Sequence, residues 1–172
     1  AARFRMLFFL RPLRFFVKAL VEDTEPRQMA LGFALGMAIG LVPKGNLLAV
    51  ALMVTLGVVR VNLGVGMLTA IVVSMLAGLF DGATHEVGKF LLLHDSLKPF
   101  WTDLYNLPLG PWTSFNNTIV LGSFALGVGL FLPVFLASKP VFAKYTPDIS
   151  EKLQKSKLYH LLLGGEVTSK LN

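Results

Sequence analysis

Most of the chain consists of uncharged apolar residues, and short polar interruptions divide them into runs of different length. Residues 63–80 and 119–137 are two such runs, of 18 and 19 positions, without a charged side chain. A transmembrane helix needs about 20 predominantly apolar residues, so each run is long enough to cross a bilayer. The pattern predicts two full spans, the first closed by Asp81 and the second by Lys139 and Pro140.

Residues 29–42 and 47–59 form two further apolar runs that are too short to span. At 1.5 Å per helical residue, each covers only about 20 Å of the roughly 30 Å hydrocarbon core. Pro43 and Gly45 lie between them and favour a sharp turn. We interpret the pair as a re-entrant helical hairpin, because broken helices are tolerated at membrane depth when protein or water surrounds them. Two short crossings of a locally thinned bilayer are the alternative.

Residues 3–21 alternate arginines with large apolar side chains at roughly helical spacing. This pattern predicts an amphipathic helix in the membrane interface, although a segment packed against the other helices is an alternative. Thr24 is a candidate N-cap of the next helix, and Pro26 suits its first turn.

The pattern as a whole predicts an all-α, polytopic helical membrane protein. It would contain two full spans plus the re-entrant hairpin, or four spans. We expect the interfacial helix over residues 1–25, the membrane domain over residues 26–138 and a tail over residues 139–172.

Composition and charge agree with this architecture and orient it. Of the 172 residues, 54% are hydrophobic and 15% are charged, whereas a typical soluble domain has about 25% charged residues. Residues 1–28 and 138–172 carry six basic side chains each, and residues 81–118 have a net charge of −2. Because basic segments face the cytoplasm, both termini are predicted to be cytoplasmic. No soluble basic domain is present, so nucleic-acid binding is not expected.

Small residues repeat along the first short run. Gly32, Gly36 and Gly40 lie on one face of the predicted helix at four-residue spacing. Without side chains, two helix backbones can approach closely in a membrane. The glycine row predicts close helix packing, either within this chain or against a partner helix.

Four polar residues lie near the ends of the predicted hairpin: Lys44, Asn46, Arg60 and Asn62. Charges inside membrane segments are costly, and they usually face a cavity, a partner or a lipid headgroup. Lys44 and Arg60 could together hold a phosphate, and the asparagines could satisfy open backbone groups. Alternatively, both cations extend to the interfaces and only terminate helices.

No catalytic or metal-binding motif stands out in the sequence. The chain has no cysteine, and the His85-Glu86 pair lacks a second histidine at the spacing of a zinc protease. Asp81 and His85 could pair on one helix face, but a polar helix end is the simpler interpretation. We therefore predict no enzyme activity, no cofactor and no metal site.

The stretch PRQMALGFALGMAIGLVPKGN, followed by RVN, resembles a family of bacterial membrane proteins of unknown function, domain-of-unknown-function family 2062. The matching residues are Pro26, Gly32, Gly36, Gly40, Pro43, Gly45, Arg60 and Asn62. A later stretch, LYNLPLGPWTSFNNTIVLGSFALG, resembles one subgroup more specifically, and the resemblance covers residues 26–137. The family has no assigned activity, so the resemblance implies no catalytic residues.

The subgroup's members resemble one half of a two-gene pair found in bacteria with outer membranes. The resemblance implies an inner-membrane location and a larger partner, encoded alongside, that reaches into the periplasm. We therefore predict a membrane anchor through which phospholipid enters a two-protein envelope system, for transfer toward the outer membrane. A small solute transporter or channel, with a site framed by the broken helices, is the alternative. An assembly factor without a ligand is a third interpretation.

Overall fold

A computed structural model describes residues 25–155, and helices account for most of them. Six α-helices occur in this part of the chain: α1 Pro26–Leu41, α2 Leu47–Val58, α3 Leu63–Leu76, α4 Asp81–Leu93, α5 Lys98–Tyr105 and α6 Thr118–Gln154. Short 3-10 turns occur at Ala77–Phe80, Asp95–Leu97 and Pro111–Thr113. The described residues contain no β-strand, so the predicted all-α class is confirmed.

The start and the end of the chain lie outside the described residues. The predicted interfacial helix, the proposed Thr24 cap and the tail beyond residue 155 belong to these segments. Helix α1 begins at Pro26, as predicted, and it follows Glu25, whose side chain makes no capping hydrogen bond. Proline suits this position because the first helical N–H has no partner within the helix.

Two helical runs of the described chain are long and apolar enough to cross a membrane. The first runs over Leu63–Leu93 and joins α3 to α4 through the 3-10 turn, and the second covers Thr118–Pro147 of α6. Both are mostly unburied, and the side chains of Met75 and Leu79 are 81% and 80% exposed. An extended exposed apolar surface of this kind is typical of proteins that contact lipid or a partner.

The helices continue past both predicted span ends. Helix α4 begins at Asp81 and continues the first run to Leu93, because a carboxylate is favourable in the first turn of a helix. Helix α6 passes through Lys139 and Pro140 to Gln154, so the expected boundary at residue 138 falls inside a helix. Proline has a helical φ angle, and apolar surroundings keep a helix intact despite the one lost hydrogen bond.

Helix α1 forms the centre of the fold, between α3 and α6. Its glycine face packs on α3: a Cβ atom on Gly32 would lie 2.5 Å from the Asn62 carbonyl oxygen. A Cβ atom on Gly40 would lie 2.5 Å from the Cβ atom of Val73, further along α3. Because the residue numbers of both helices increase from the first contact to the second, α1 and α3 run parallel.

The opposite face of α1 packs on α6, which runs antiparallel to it. Gly127 lies against Ala38, and Thr146 donates a hydrogen bond to the Met29 sulfur at the other end of α1. Beyond α1, helix α6 crosses α4 closely, because Gly122 fits directly against the Thr84 backbone. The α1–α2 hairpin therefore packs along only part of the length of the two long helical runs.

Helix α2 lies on the outside of the bundle and packs less extensively than α1. Its Leu56 contacts Gly66 near the start of α3, so α2 runs antiparallel to α3. Large apolar side chains of α2 are exposed, including Val50, Val54 and Val58. Helix α2 also contacts the Pro111–Thr113 turn.

Candidate functional site

Asn46 and Asn62 cap the helices that follow them. The Asn46 Oδ1 atom accepts a hydrogen bond from the Ala49 N–H at 2.9 Å, and its Nδ2 atom donates to the Pro43 carbonyl at 2.6 Å. The Asn62 Oδ1 atom accepts from the Val65 N–H at 2.8 Å. These bonds give both asparagines the backbone-satisfying role that the sequence suggested. A ligand-binding role for them stays a prediction.

The turn between α1 and α2 depends on Gly45. Its φ angle of 95° lies in the region that side chains disfavour, and a Cβ atom there would meet no neighbour within 4 Å. The backbone conformation, and not a lack of space, therefore requires glycine at this position. Pro43 and Gly45 both lie in this connection, between the end of α1 at Leu41 and the start of α2 at Leu47.

Lys44 folds back over the C-terminal end of α1. Its Nζ atom donates hydrogen bonds to the Val42 carbonyl, at 2.7 Å, and to the Ile39 carbonyl. The Ser74 hydroxyl donates to the neighbouring Gly40 carbonyl at 3.3 Å. A cation at this end of a helix satisfies open carbonyls and opposes the negative end of the helix dipole. Two of the three ammonium hydrogens are thereby engaged, so a third can contact an anion.

Arg60 lies at the opposite end of α2 from Lys44. It belongs to the exposed link between α2 and α3, whereas Lys44 precedes α2. The 12 residues of α2 place the backbone at its two ends about 18 Å apart. The antiparallel hairpin thus keeps its turn and its base apart, and the structure does not bring Lys44 and Arg60 together; the binding of one phosphate by both cations stays a prediction.

An open groove of about 730 Å³ lies between α2 and α3. Met53 and Leu56 line it from α2, and Met67 and Ile71 line it from α3. Lys44 and Ser74 are the polar side chains in its wall, and both lie near the C-terminal end of α1. The groove combines a long apolar wall with a single cation at one end.

The glycine row does not line this groove. Gly32 and Gly36 lie against backbone atoms of Asn62 and Gly66, so α3 occupies the surface that a partner helix would need. In this structure the glycine row packs within the chain, which is one of the two alternatives that the sequence left open. The glycines bring α1 and α3 together, and the C-terminal end of α1 then holds Lys44 beside Ser74.

His85 bonds to α6 and does not pair with Asp81. Its Nδ1 atom lies 2.7 Å from the Thr118 hydroxyl oxygen, which ties α4 to the start of α6. Among the described residues, no three histidine, aspartate or glutamate side chains are grouped as metal ligands would be. His85 therefore has a structural role in joining the two helices.

Sequence reasoning missed Ser74 and the methionines of the groove. A signal was present, because Met67, Ile71 and Ser74 repeat at the spacing of one helix face. Met53, Leu56 and Gly57 of α2 share one helix face in the same way, but the sequence does not show that this face meets α3, since that depends on how the hairpin folds.

Comparison with known proteins identifies relatives without an assigned activity. An "Uncharacterized protein" of Treponema pallidum (strain Nichols) is 24% identical over 153 residues, which cover 89% of this chain and 94% of that protein. No solved structure gives a significant match. The model of one family, described as "Uncharacterized protein conserved in bacteria (DUF2062)", matches residues 10–148. Because this match covers most of its length, the chain belongs to the DUF2062 family.

Proposed function

We propose that this protein is an integral inner-membrane protein that binds a phospholipid in the α2–α3 groove. It passes the lipid to a larger, periplasm-facing protein encoded alongside it, for transfer toward the outer membrane. The single observation that carries the proposal is the groove itself, whose apolar wall ends at Lys44.

The chemistry of the groove matches the two parts of a phospholipid. Methionine, leucine and isoleucine side chains offer an acyl chain a flexible apolar wall, and each buried methylene contributes about 0.8 kcal/mol. The Lys44 ammonium offers its remaining hydrogen and its positive charge to a phosphate. The volume lies within the 300–1,000 Å³ range typical of small-molecule sites. A solute transporter would need more polar groups than Lys44 and Ser74 in this wall.

The hairpin formed by α1 and α2 is re-entrant in this proposal. Ser74, which bonds to the end of α1, is the twelfth residue of the run that begins at Leu63. The C-terminal end of α1 therefore lies about 17 Å along that run, and the turn follows it, whereas the uncharged stretch to Phe80 extends about 27 Å. An α1 helix that ends short of the far surface supports a hairpin that enters and leaves on one side.

This architecture favours local disorder of the bilayer around the groove. Helix α2, with 12 residues, is shorter than a typical span, and lipids beside it must thin or tilt. Its exposed Val54 and Val58 side chains provide an apolar contact for those lipids. Lipid movement into the groove then requires no covalent chemistry, and no enzyme activity is proposed.

The location and the partner rest on the family context together with charge. Membership of a bacterial family agrees with a bacterial membrane, and the charge pattern supports cytoplasmic termini. The segment over residues 81–118 then faces the periplasm, where exposed Trp112 and Leu109 offer an apolar contact. The partner's identity as a periplasm-facing protein follows from the two-gene subgroup that the sequence resembles.

The proposal predicts that phospholipid retained through gentle extraction depends on the charge of Lys44. Lys44→Gln keeps a donor for the Val42 carbonyl but removes the charge, so bound phospholipid should fall several-fold, measured by mass spectrometry of the purified protein. Lys44→Arg should retain the lipid, because the positive charge persists. Lys139→Gln, at an exposed lysine of α6, is the matched control and should retain it too. Equal lipid content in Lys44→Gln and the control would refute the proposed site.

A further inference from the structure

We infer that the groove takes its phospholipid from the leaflet nearest residues 81–118, with the phosphate at Lys44 and an acyl chain directed toward Leu63. This inference rests on the proposed lipid-binding function and adds the orientation and the source of the lipid. It follows from the direction of the groove and from which of the two cations lines it.

The depth of Lys44 is fixed by its contacts with neighbouring helices. Its Nζ atom bonds to the end of α1, and the adjacent Gly40 carbonyl accepts from Ser74. Ser74 lies six residues before Phe80, the last residue of the uncharged stretch, or about 9 Å along the helix. Leu63, at the other end of that stretch, is about 17 Å from Ser74. Lys44 is therefore nearer to the leaflet beside residues 81–118.

The groove extends from Lys44 toward the opposite leaflet. Ser74 and Met75 line it at the Lys44 end, and Gly57 and Leu63 line it at the other end. Because the wall between these ends is apolar, it suits an acyl chain and not a headgroup. A lipid with its phosphate at Lys44 then has its chain pointing away from residues 81–118, which is the orientation of a lipid in the leaflet beside them.

A lipid from the opposite leaflet fits this groove poorly. Its phosphate would lie near Arg60, which is exposed and outside the groove wall. The end of its acyl chain would then lie against the Lys44 ammonium and cover a cation with hydrocarbon. Burying a charge without a compensating partner is unfavourable, so this orientation is the weaker one.

A lipid bound in the inferred orientation has its headgroup below the plane of its neighbours. The approximately 9 Å between Ser74 and Phe80 is the distance by which the phosphate would be drawn inward. The phosphate of such a lipid has already left the headgroup layer of the leaflet that faces the proposed partner. The groove then acts as a receiving site for lipid that is already in the periplasmic leaflet.

The test uses a photoactivatable phosphatidylglycerol with a diazirine in its acyl chain, loaded into one leaflet of vesicles that contain the full chain. The protein lacks cysteine, so Asn106→Cys marks the side that faces residues 81–118 and allows vesicles of one orientation to be selected. Brief illumination follows lipid loading, and mass spectrometry locates the modified residues. Met67 and Ile71 report the groove, and the exposed Val72 on the same helix reports bulk lipid.

We expect labelling of Met67 and Ile71, relative to Val72, to be several-fold greater when the photolipid is loaded on the side of Asn106→Cys. The Lys44→Gln variant should lose this preference. Equal labelling from both leaflets, or greater labelling from the Arg60 side, would overturn the inferred orientation while leaving lipid binding intact. Labelling of Val72 without any labelling of Met67 or Ile71 would instead overturn the proposed function, and the orientation with it.

Discussion

At the scale of single residues, the contact between α1 and α3 depends on glycines, which have no side chain to hold the two helices apart. A Cβ atom on Gly36 would fall well inside contact distance of the Gly66 carbonyl oxygen, which is backbone and cannot rotate away. Gly129 is a glycine of α6 whose Cβ atom would meet nothing within 4 Å. The two positions therefore form a matched pair for testing helix packing.

Gly36→Ala should lower the stability of the fold by about 1–3 kcal/mol, because added volume forces tightly packed helices apart. Gly129→Ala should leave stability unchanged or raise it by up to about 1 kcal/mol, because alanine favours a helix. Thermal unfolding in detergent, followed by circular dichroism, measures both variants. Equal unfolding temperatures for the two would contradict the close packing of α1 on α3.

Asn46 provides a second residue-scale test, at the start of α2. Asn46→Ala should destabilise the protein by about 1 kcal/mol, because the Ala49 N–H loses its side-chain acceptor. Asn46→Ser should restore most of that loss, since serine also accepts at an N-cap. Chemical unfolding in detergent compares the two variants. A serine variant as unstable as the alanine variant would show that capping is not the residue's main contribution.

Single residues were also where sequence reasoning was most informative. Proline, glycine and asparagine at the hairpin turn have local preferences that do not depend on the rest of the chain. The turn at Pro43 and Gly45 and the backbone bonds of Asn46 could therefore be predicted. The position of the Lys44 ammonium could not, because it depends on carbonyls at the end of a helix that packs elsewhere.

At the scale of elements, the depth of the hairpin turn distinguishes a re-entrant hairpin from two spans. Because the chain has no cysteine, single cysteines report access to water directly. Pro43→Cys should react with a membrane-impermeant thiol reagent much more slowly than Asn106→Cys, which the proposed topology places beyond the far surface. Arg60→Cys should react rapidly from the side opposite to Asn106→Cys. Rapid labelling of Pro43→Cys together with Asn106→Cys would indicate two complete spans instead.

Helix ends were harder to predict than helix existence. Asp81 and Pro140 are both expected to end an apolar span, yet helix continues through each of them. A charge ends the apolar surface of a helix without ending its hydrogen bonding, and a proline removes only one such bond. Polarity in a sequence therefore marks where the apolar surface of a helix ends, and not where the helix itself stops.

At the scale of the whole molecule, the groove is a consequence of the order in which helices pack. Close contacts along α1 bring it against α3 and α6, while α2 remains on the outside. The space between α2 and α3 is bounded by Met53 on one side and Met67 on the other. The sequence predicted the number of apolar runs but not this pairing, because the periodic face of one helix does not show which other helix it contacts.

The most direct test of phospholipid binding in the groove is to fill the groove without altering its charge. Ile71 lines the groove and is 53% exposed, and its neighbour Val72 is 47% exposed but outside the wall. Native mass spectrometry should count bound phospholipid in Ile71→Trp and Val72→Trp after identical extraction. We expect Ile71→Trp to lose most of its bound lipid, because the indole occupies the acyl-chain space, and Val72→Trp to retain it. Equal lipid occupancy in the two folded variants would show that phospholipid does not bind in the groove.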